Sequence, residues 1–542
     1  MTNDPRAGTL VSGPEVLDVA KLTAAFFDRK PDTAVPDQRV KFGTSGHRGS
    51  AFDSTFNEDH ILAITQAICC YRSARGIDGP LFLGRDTHAL SGPAFQVALE
   101  VLSANDVSVM VDSDGGFTPT PVISHAILSY NRSRMTGLAD GIVITPSHNP
   151  PADGGFKYNP PHGGPAETAI TTWIENSAND FLKAGLVAVK RFGLASGRGP
   201  NVVPHNYVQS YIAGLDTVVD TKAIQSAGVR VGVDPLGGAA VHFWQPIAEK
   251  FGLDITVTDE VVDPTFRSIP RDWDGNIRMD CSSPYPMKRL LARKDDFDIA
   301  FANDTDADRH GIVTKAGLMA PNEYLAACAF YLGRDRKAFK GRRIGKTVVS
   351  SAMIDRVARV LGAPLFEVPV GFKWFVEGLH DGSVYFSGEE SAGSSFLRRD
   401  GTVWTTDKDG MIAGLLAAEI TARSGHTPDV LFEELAASLG KTFYARIDKP
   451  ADAALRAKLG KLTPADVSAT RLGGDPIMSK ISDAPGNGAA IGGIKLSTAN
   501  GWVAVRPSGT EDVYKVYAES FVSAEHLVAL QSGAVDILRE LN

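Results

Sequence analysis

Short apolar runs that end in a polar residue alternate with helix-length amphipathic stretches along most of the chain. Residues 107–112, 229–234 and 298–303 are examples of such runs. Strands that alternate with helical patterns predict α/β units with buried mixed or parallel sheets. Because ligands bind such sheets at the carboxyl ends of the strands, the loops that follow these runs are the first candidates for chemistry.

The length of 542 residues requires several domains, since a single hydrophobic core stops growing beyond about 250–300 residues. Changes in pattern, together with Gly/Pro clusters such as residues 197–200, indicate where the domains meet. We expect an N-terminal arm, three related α/β domains with mixed sheets and a smaller C-terminal α+β domain. Their predicted ranges are 1–38, 39–205, 206–321, 322–445 and 446–542.

The charge distribution argues against a general nucleic-acid binder. The net charge is −8, and no dense block of Lys and Arg suggests a groove for a polyanion or a surface that binds an anionic membrane.

No apolar run approaches the roughly 18 residues of a membrane span. The first residues lack the pattern of a signal peptide, and the four cysteines show no C-x-x-C spacing. We therefore predict a cytoplasmic protein. A monomer and a homodimer are both compatible with the sequence.

A proline-rich loop follows the apolar run at 141–144 and contains a serine, Ser147. Its sequence, at residues 145–151, is TPSHNPP. Proline fixes its own φ and restricts the preceding residue, so this loop holds Ser147 in one orientation at little entropic cost. Such positioning suits a serine used in covalent catalysis. The alternative is a surface turn whose polar side chains only satisfy the backbone.

Three aspartates at alternate positions, Asp304, Asp306 and Asp308, follow the run at 298–303. Alternate side chains can converge on one side, where their charges would repel and raise one another's pKa. A divalent cation removes that cost, and Mg²⁺ is preferred because it leaves positions for phosphate oxygens. An EF-hand loop is excluded, since Arg309 and Lys315 replace its required Gly and Glu. A solvated acidic turn remains the alternative.

Two later loops carry groups that could bind a sugar phosphate. Residues 387–393 (SGEESAG) offer Glu389 and Ser391 to sugar hydroxyls, although a plain acidic turn fits equally. Residues 506–511 (RPSGTE) offer a guanidinium, hydroxyls and a Gly-flanked backbone to a phosphate dianion, or form a surface turn. A P-loop at 341–347 is rejected, because only three residues separate its glycines.

These four loops, with residues 42–49 (FGTSGHRG), resemble those of the α-D-phosphohexomutase family, and most closely its bacterial type that acts on glucose phosphates. The resemblance runs from about Lys41 to the carboxyl terminus. It implies four domains around a central cleft and reversible conversion of α-D-glucose 1-phosphate into glucose 6-phosphate. It also implies Mg²⁺ as cofactor and glucose 1,6-bisphosphate as intermediate and activator. A mutase for mannose or glucosamine phosphates, a phosphatase and a non-catalytic relative remain alternatives.

The resemblance also implies the catalytic and metal-binding roles. Ser147 matches the phosphoserine and is a metal ligand together with Asp304, Asp306 and Asp308. The remaining matches are Lys157 as general acid/base, and Arg48 and His148 near the reacting phosphate.

The substrate-binding residues that the resemblance implies are Arg309, Gly371, Lys373, Glu389, Ser391, Lys408, Arg506, Ser508, Gly509 and Thr510. The chain departs from many relatives at Val370 and Phe372, where they have Thr and then Trp or His. In the metal loop, Thr305 and Ala307 stand where glycine is frequent, which leaves the ligands unchanged.

Overall fold

The computed structural model describes residues 3–43, 46–193, 201–508 and 512–540, which lie in two compact units. The N-terminal unit comprises Asn3–Leu318 and Gly393–Gly425. The C-terminal unit comprises mainly Met319–Ala392 and His426–Asn542. None of the described helices is long and apolar enough to cross a membrane. The predicted linker at 197–200 lies outside the described residues.

The first sheet of the N-terminal unit has the strand order β1-β5-β4-β2-β3-β6. Strands β4, β2, β3 and β6 run parallel to one another, whereas β5 is antiparallel to both β4 and β1. The strands are β1 (His47–Ser50), β2 (Leu81–Arg85), β3 (Val109–Asp112), β4 (Asp140–Ile144), β5 (Asp153–Asn159) and β6 (Val202–His205). The helices are α1 (Val19–Asp28), α2 (Glu58–Arg75), α3 (Ser91–Ala104), α4 (Thr120–Asn131) and α5 (Thr168–Lys183).

The second sheet has the order β11-β10-β9-β7-β8, with β7 parallel to β8 and β9, and β10 antiparallel to β9. The strands are β7 (Arg230–Asp234), β8 (Asp254–Val257), β9 (Ile299–Asn303), β10 (His310–Thr314) and β11 (Gly317–Leu318). The helices are α6 (Tyr207–Ile212), α7 (Thr221–Ala227), α8 (Trp244–Phe251) and α9 (Lys288–Ala292).

The N-terminal arm packs on both halves of this unit. Asp4 N–H donates to the Trp273 carbonyl over 2.8 Å, and the Arg271 guanidinium lies 2.7 Å from the Glu15 carboxylate. Farther along, α1 buries Phe26 in the core below the first sheet. The arm therefore connects the segment around residue 273 to the first domain core.

In the C-terminal unit, β12 pairs in parallel with β13 on one side and with β14 on the other. The strands are β12 (Arg343–Thr347), β13 (Leu365–Val368) and β14 (Val384–Glu389), and the helices are α10 (Pro321–Asp335), α11 (Met353–Leu361) and α12 (Val376–His380). The rejected P-loop segment is itself largely strand, which is consistent with that rejection.

The chain then returns to the N-terminal unit for β15 (Gly393–Phe396) and α13 (Gly410–Ser424). Helix α13 packs on β9 and β10. Gly414 lies so close to the Phe301 ring that an added Cβ would be 2.4 Å from it, so the approach of this helix requires glycine. These residues belong, in sequence, to the range predicted as the third α/β domain.

The last part of the chain forms an antiparallel sheet with the order β16-β22-β21-β20-β19. Its core contains Val503, Val516 and Leu530, the last from α16. The elements are α14 (Pro428–Leu439), β16 (Phe443–Pro450), α15 (Ala453–Leu459), β17 (Arg471–Leu472), β18 (Asp475–Pro476), β19 (Ser479–Asp483), β20 (Ala490–Ser497), β21 (Gly501–Pro507), β22 (Val513–Ser520) and α16 (Ala524–Glu540). The predicted class, α/β domains with mixed sheets and a smaller α+β domain, is confirmed.

Candidate active site

Ser147 lies in the loop directly after β4 and is almost completely buried, with 1% of its surface exposed. Its φ is +57°, a left-handed conformation that costs a non-glycine residue about 1–3 kcal/mol. Hydrogen bonds hold this conformation from both sides. Ser147 N–H donates to Thr145 Oγ1 over 2.8 Å, and the Ser147 carbonyl accepts from Thr305 Oγ1 over 2.6 Å. The serine is therefore held in one strained orientation.

The acidic loop after β9 lies beside this serine. The carboxylates of Asp304, Asp306 and Asp308 are buried, and one oxygen of each lies within 4.8 Å of the others. Ser147 Oγ donates to Asp304 Oδ2 over 2.7 Å. Ala307 turns the loop with a φ of +54°, a backbone conformation that glycine adopts with less strain. The loop thus brings three carboxylates to the serine hydroxyl.

Three cations surround one of these carboxylates. Lys157 Nζ lies 2.6 Å from Asp306 Oδ2 and 3.4 Å from Asp308 Oδ2, and Lys408 Nζ lies 3.2 Å from Asp308 Oδ2. Arg309 Nε is 3.8 Å from Asp308 Oδ1. Burial opposes ionisation of Asp308, but Lys408, Lys157 and Arg309 outweigh it and hold the pKa of that carboxyl below its usual range.

Asp304 behaves in the opposite way. Burial, followed by repulsion from Asp308 and Asp306, raises the pKa of Asp304 well above its ordinary value. The negative charge of Asp304 is therefore unfavourable unless a proton or a metal cation neutralises it.

The donor set of the acidic loop fits a hard divalent cation. All the ligand atoms are carboxylate oxygens, the type that Mg²⁺ and Ca²⁺ select. Within the described part of the chain, the buried atoms Asp306 Oδ1 and Asp308 Oδ1 accept no hydrogen bond. Because buried polar atoms in folded proteins are nearly always satisfied, these two oxygens are free to bind a metal. The triad could hold such an ion.

Arg48 and His148 flank the serine. Arg48, on β1, donates through Nη1 to Asn149 Oδ1 over 3.1 Å. His148 Nδ1 lies 3.4 Å from Ser147 Oγ, and its carbonyl accepts from Met279 N–H over 3.2 Å. Burial, and then the charge of Arg309, lower the pKa of His148 well below its ordinary value. Its imidazole is therefore neutral beside the serine hydroxyl.

The structure also brings Asp86, at the end of β2, into this site. The sequence motifs described above do not include Asp86. Asp86 Oδ2 accepts from Thr145 Oγ1 over 2.7 Å and lies 3.2 Å from Thr305 Oγ1. The rule that ligand sites lie at the carboxyl ends of strands is the signal that could have marked Asp86.

The C-terminal unit holds the predicted sugar-binding residues. Glu389 is the last residue of β14 rather than part of a loop, and its Oε1 accepts from Gly371 N–H over 2.9 Å. Gly371 has a φ of +126°, which only glycine adopts without strain. Burial, and then the charge of Glu389, raise the pKa of Glu390. Ser391 follows this acidic pair directly.

The same unit holds the predicted phosphate-binding residues that the structure describes. Arg506 Nε donates to the Ile491 carbonyl over 2.7 Å, and Ser508 N–H donates to the Val513 carbonyl over 2.9 Å. Burial lowers the pKa of Arg506, although Tyr517, Glu390 and Glu389 act in the opposite direction. Lys373 Nζ lies 5.4 Å from the centre of the Trp374 ring. The predicted residues Gly509 and Thr510 lie outside the described part of the chain.

Comparison with known proteins agrees with this arrangement. Sequence models of phosphoglucomutase/phosphomannomutase match the chain in four parts: alpha/beta/alpha domains I, II and III over residues 39–183, 209–317 and 320–439, and the C-terminal domain over 455–536.

Individual relatives match most of the length of the chain. A phosphoglucomutase from Komagataeibacter xylinus is 58% identical over 540 residues, which is 99% of this chain and 97% of that protein. Phosphoglucomutase 1 of Drosophila melanogaster is 26% identical over 76% of this chain and 75% of that protein.

Solved structures share the fold. The putative phosphomannomutase from Thermus thermophilus has a TM-score of 0.72 at 24% identity and covers 92% of this chain and 99% of that one. The phosphoprotein pp63/parafusin from Paramecium, in its open form, has a TM-score of 0.71 at 21% identity and covers 95% of each chain.

Proposed function

The chain belongs to the phosphoglucomutase/phosphomannomutase family, and we propose that it is a phosphoglucomutase that interconverts α-D-glucose 1-phosphate and glucose 6-phosphate. The observation that carries this proposal is the position of Ser147 Oγ, 2.7 Å from the acidic loop that Lys157 also contacts. A nucleophile, a metal-binding triad and a proton-transfer group thus meet at one buried point, in a chain with a full-length phosphoglucomutase relative.

In this proposal Ser147 carries the phosphoryl group. The 6-hydroxyl of glucose 1-phosphate attacks the phosphorus, the bond from phosphorus to Ser147 Oγ breaks, and glucose 1,6-bisphosphate forms. The bisphosphate then presents its other phosphate, which returns to Ser147 Oγ and leaves glucose 6-phosphate. The strained, buried loop holds Ser147 in place through both steps, and positioning supplies much of the rate in phosphoryl transfer.

Proton transfer is assigned to Lys157. Lys157 acts as a base in its neutral amine form, in which Nζ takes the proton of the attacking sugar hydroxyl. The ammonium formed in this way returns a proton to the departing sugar oxygen in the other half-reaction. Contacts with Asp306 and Asp308 fix the position of Nζ. Asp304, Asp306, Asp308 and the phosphorylated Ser147 side chain would hold Mg²⁺, which would neutralise charge on the phosphoryl group.

The remaining groups bind the substrate in this proposal. Arg48, His148, Arg309 and Lys408 belong to the N-terminal unit and would contact the reacting end of the sugar phosphate. Glu389 and Ser391 would bind sugar hydroxyls. The other residues assigned to substrate binding are Gly371, Lys373, Arg506, Ser508, Gly509 and Thr510. From its composition we place the enzyme in the cytoplasm, and we propose that it is a monomer or a homodimer.

A coupled assay tests this function. Purified protein with Mg²⁺ and a trace of glucose 1,6-bisphosphate should convert glucose 1-phosphate into glucose 6-phosphate, which a glucose-6-phosphate dehydrogenase reports. Absence of product under these conditions would rule the function out. Faster turnover of mannose or glucosamine phosphates would identify another mutase, and steady release of inorganic phosphate in excess of isomerisation would identify a phosphatase.

A further inference from the structure

Two residues that the proposed mechanism does not use, Asp86 and His88, lie buried beneath the serine loop. They follow β2, and 1% and 3% of their surfaces are exposed. Their polar atoms are directed at residues before and after Ser147. We propose that Asp86 and His88 form an ion pair that positions the serine loop for phosphoryl transfer. This inference rests on the proposed function, since it names the residues that keep the same nucleophile in place.

The carboxylate of Asp86 hydrogen-bonds Thr145, which lies two residues before Ser147. Thr145 Oγ1 donates its one proton to Asp86 Oδ2 over 2.7 Å. The same hydroxyl oxygen accepts from Ser147 N–H over 2.8 Å. Because a hydroxyl has one proton and two lone pairs, an ionised Asp86 sets the direction of both bonds. The orientation of the Ser147 peptide group therefore depends on the charge of Asp86.

The imidazole of His88 contacts Asn149, which lies two residues after Ser147. Its Nδ1 lies 2.8 Å from Asp86 Oδ2, and its Nε2 lies 3.1 Å from the Asn149 carbonyl oxygen. A carboxylate and a carbonyl can only accept, so both ring nitrogens must carry protons, and His88 is an imidazolium. Burial works against this charge, but the neighbouring Asp86 carboxylate outweighs it and raises the pKa of His88.

Further hydrogen bonds to Asp86 offset the cost of burying this ion pair. Asp86 Oδ1 also accepts from Ser91 Oγ over 2.5 Å and from His88 N–H over 3.0 Å. A buried ion pair persists when its charges are matched and its remaining lone pairs are satisfied, as they are here. Removal of one partner would leave the other charged and unpaired, so the arrangement should be lost as a unit.

Asp86 also links the serine loop to the acidic loop. Thr305 Oγ1 lies 3.2 Å from Asp86 Oδ2 and donates to the Ser147 carbonyl over 2.6 Å. The one carboxylate thus contacts a side chain of each loop, and it helps to set the distance between Ser147 Oγ and Asp304. Neither Asp86 nor His88 hydrogen-bonds Ser147 Oγ, so these are positioning residues rather than catalytic ones.

The variant Asp86→Asn tests the inference, because it keeps the size of the side chain but removes its charge. Asp140→Asn is the matched control. Asp140 is buried at the opposite end of β4, where it pairs with Arg72 and accepts from the Tyr158 hydroxyl over 2.7 Å. Both variants should lose stability. Only Asp86→Asn should lower kcat, by about 10²-fold with little change in KM, since a displacement of about 1 Å costs that much.

A second pair of variants covers the case in which Asp86→Asn does not fold. Thr145→Ser keeps the hydroxyl that links Asp86 to Ser147 N–H, whereas Thr145→Val removes it at nearly constant volume. Thr145→Ser should retain kcat, and Thr145→Val should lower it. Equal kcat values for Asp86→Asn and Asp140→Asn, or a Thr145→Val enzyme as active as wild type, would overturn the inference.

Nitrogen NMR of the His88 ring separates this inference from the proposed function. Wild-type protein should show two protonated ring nitrogens at neutral pH, and a neutral ring would contradict the ion pair whatever the enzyme catalyses. If the wild type has no mutase activity, the proposed function fails and the NMR result alone decides on the pair. If the wild type is active, the variants decide on the positioning role.

Discussion

The hydroxyl of Ser147 donates a 2.7 Å hydrogen bond to Asp304 Oδ2, although 157 positions separate the two residues in the sequence. The serine follows a strand of the first sheet, and the aspartate follows a strand of the second. The nucleophile and the acidic loop therefore meet only when both sheets of the N-terminal unit are assembled. Substitutions of Ser147, Asp304 and Lys157 at this point, and of Glu389 in the C-terminal unit, should change different measurable properties of the enzyme.

Ser147→Ala should abolish the mutase activity. Loss of a catalytic nucleophile typically costs at least about 10³-fold in kcat. The variant should also lose the phosphoryl group that mass spectrometry detects on the Ser147 peptide of the wild-type protein. Ser108→Ala, at an exposed serine of the same sheet region, should leave both properties unchanged. A phosphate found on another serine, with activity retained, would contradict the assignment.

The contribution of Asp304 to the stability of the metal-free protein should fall as the pH rises above about 4. The pKa of Asp304 is raised in the folded state, whereas an unfolded aspartate titrates near 3.9. Between these two values the folded protein binds more protons, so its free energy of unfolding decreases with pH. Urea unfolding with a chelator, at several pH values, measures this effect.

Asp304→Asn isolates that contribution, since it cannot titrate. The difference in pH dependence between wild type and Asp304→Asn should have the stated sign, and the opposite sign would refute the prediction. Mg²⁺ should displace the proton from Asp304, so its binding should release protons and strengthen with pH. Calorimetry in buffers of different ionisation enthalpy detects that release.

Lys157→Met should lower kcat by about 10²–10⁴-fold, the usual contribution of a general acid or base. The same change removes the ammonium group 2.6 Å from Asp306 Oδ2, so the affinity for Mg²⁺ should rise. Lys183→Met, at a side chain that is 59% exposed, is the control for loss of a lysine. If Lys157→Met retained the wild-type kcat, another residue would have to move the proton.

Glu389→Gln should raise KM for glucose 1-phosphate by roughly tenfold or more, because a hydrogen bond to a charged group contributes about 1.5–3 kcal/mol. The amide oxygen of Gln can still accept from Gly371 N–H, so the local fold should persist. Glu377→Gln, at an exposed position, controls for the loss of charge. An unchanged KM for every hexose phosphate would remove Glu389 from the substrate site.

The sequence was sufficient to predict the fold class and the loops that hold Ser147 and the acidic triad. Each of these loops follows a buried apolar run, so its position at a strand end was readable from the pattern. The family resemblance supplied Lys157. Its place beside the serine loop comes from the pairing of β4 with β5, in which Val143 lies opposite Lys157. Strand register of this kind depends on the assembled sheet.

Other features depend on tertiary structure alone. The buried partners of Asp86 come from loops distant in sequence, and no local pattern indicates that Thr145 and Thr305 converge on it. The left-handed backbone of Ser147 contradicts local preference, because the hydrogen bonds around it outweigh the strain. Glu389 belongs to a strand that runs farther than its apolar residues indicate, since backbone pairing with β12 continues to Gly388.

The return of the chain to the N-terminal unit has a consequence for biosynthesis. Gly410 N–H donates to the Ala307 carbonyl over 2.9 Å, and Lys408 supplies a charge to Asp308. A nascent chain that ends at Leu318 therefore has its serine and its aspartates but lacks the helix and the lysine that support the acidic loop. We expect the ribosome to translate past Gly425 before this centre can form, so the enzyme matures late in its own synthesis.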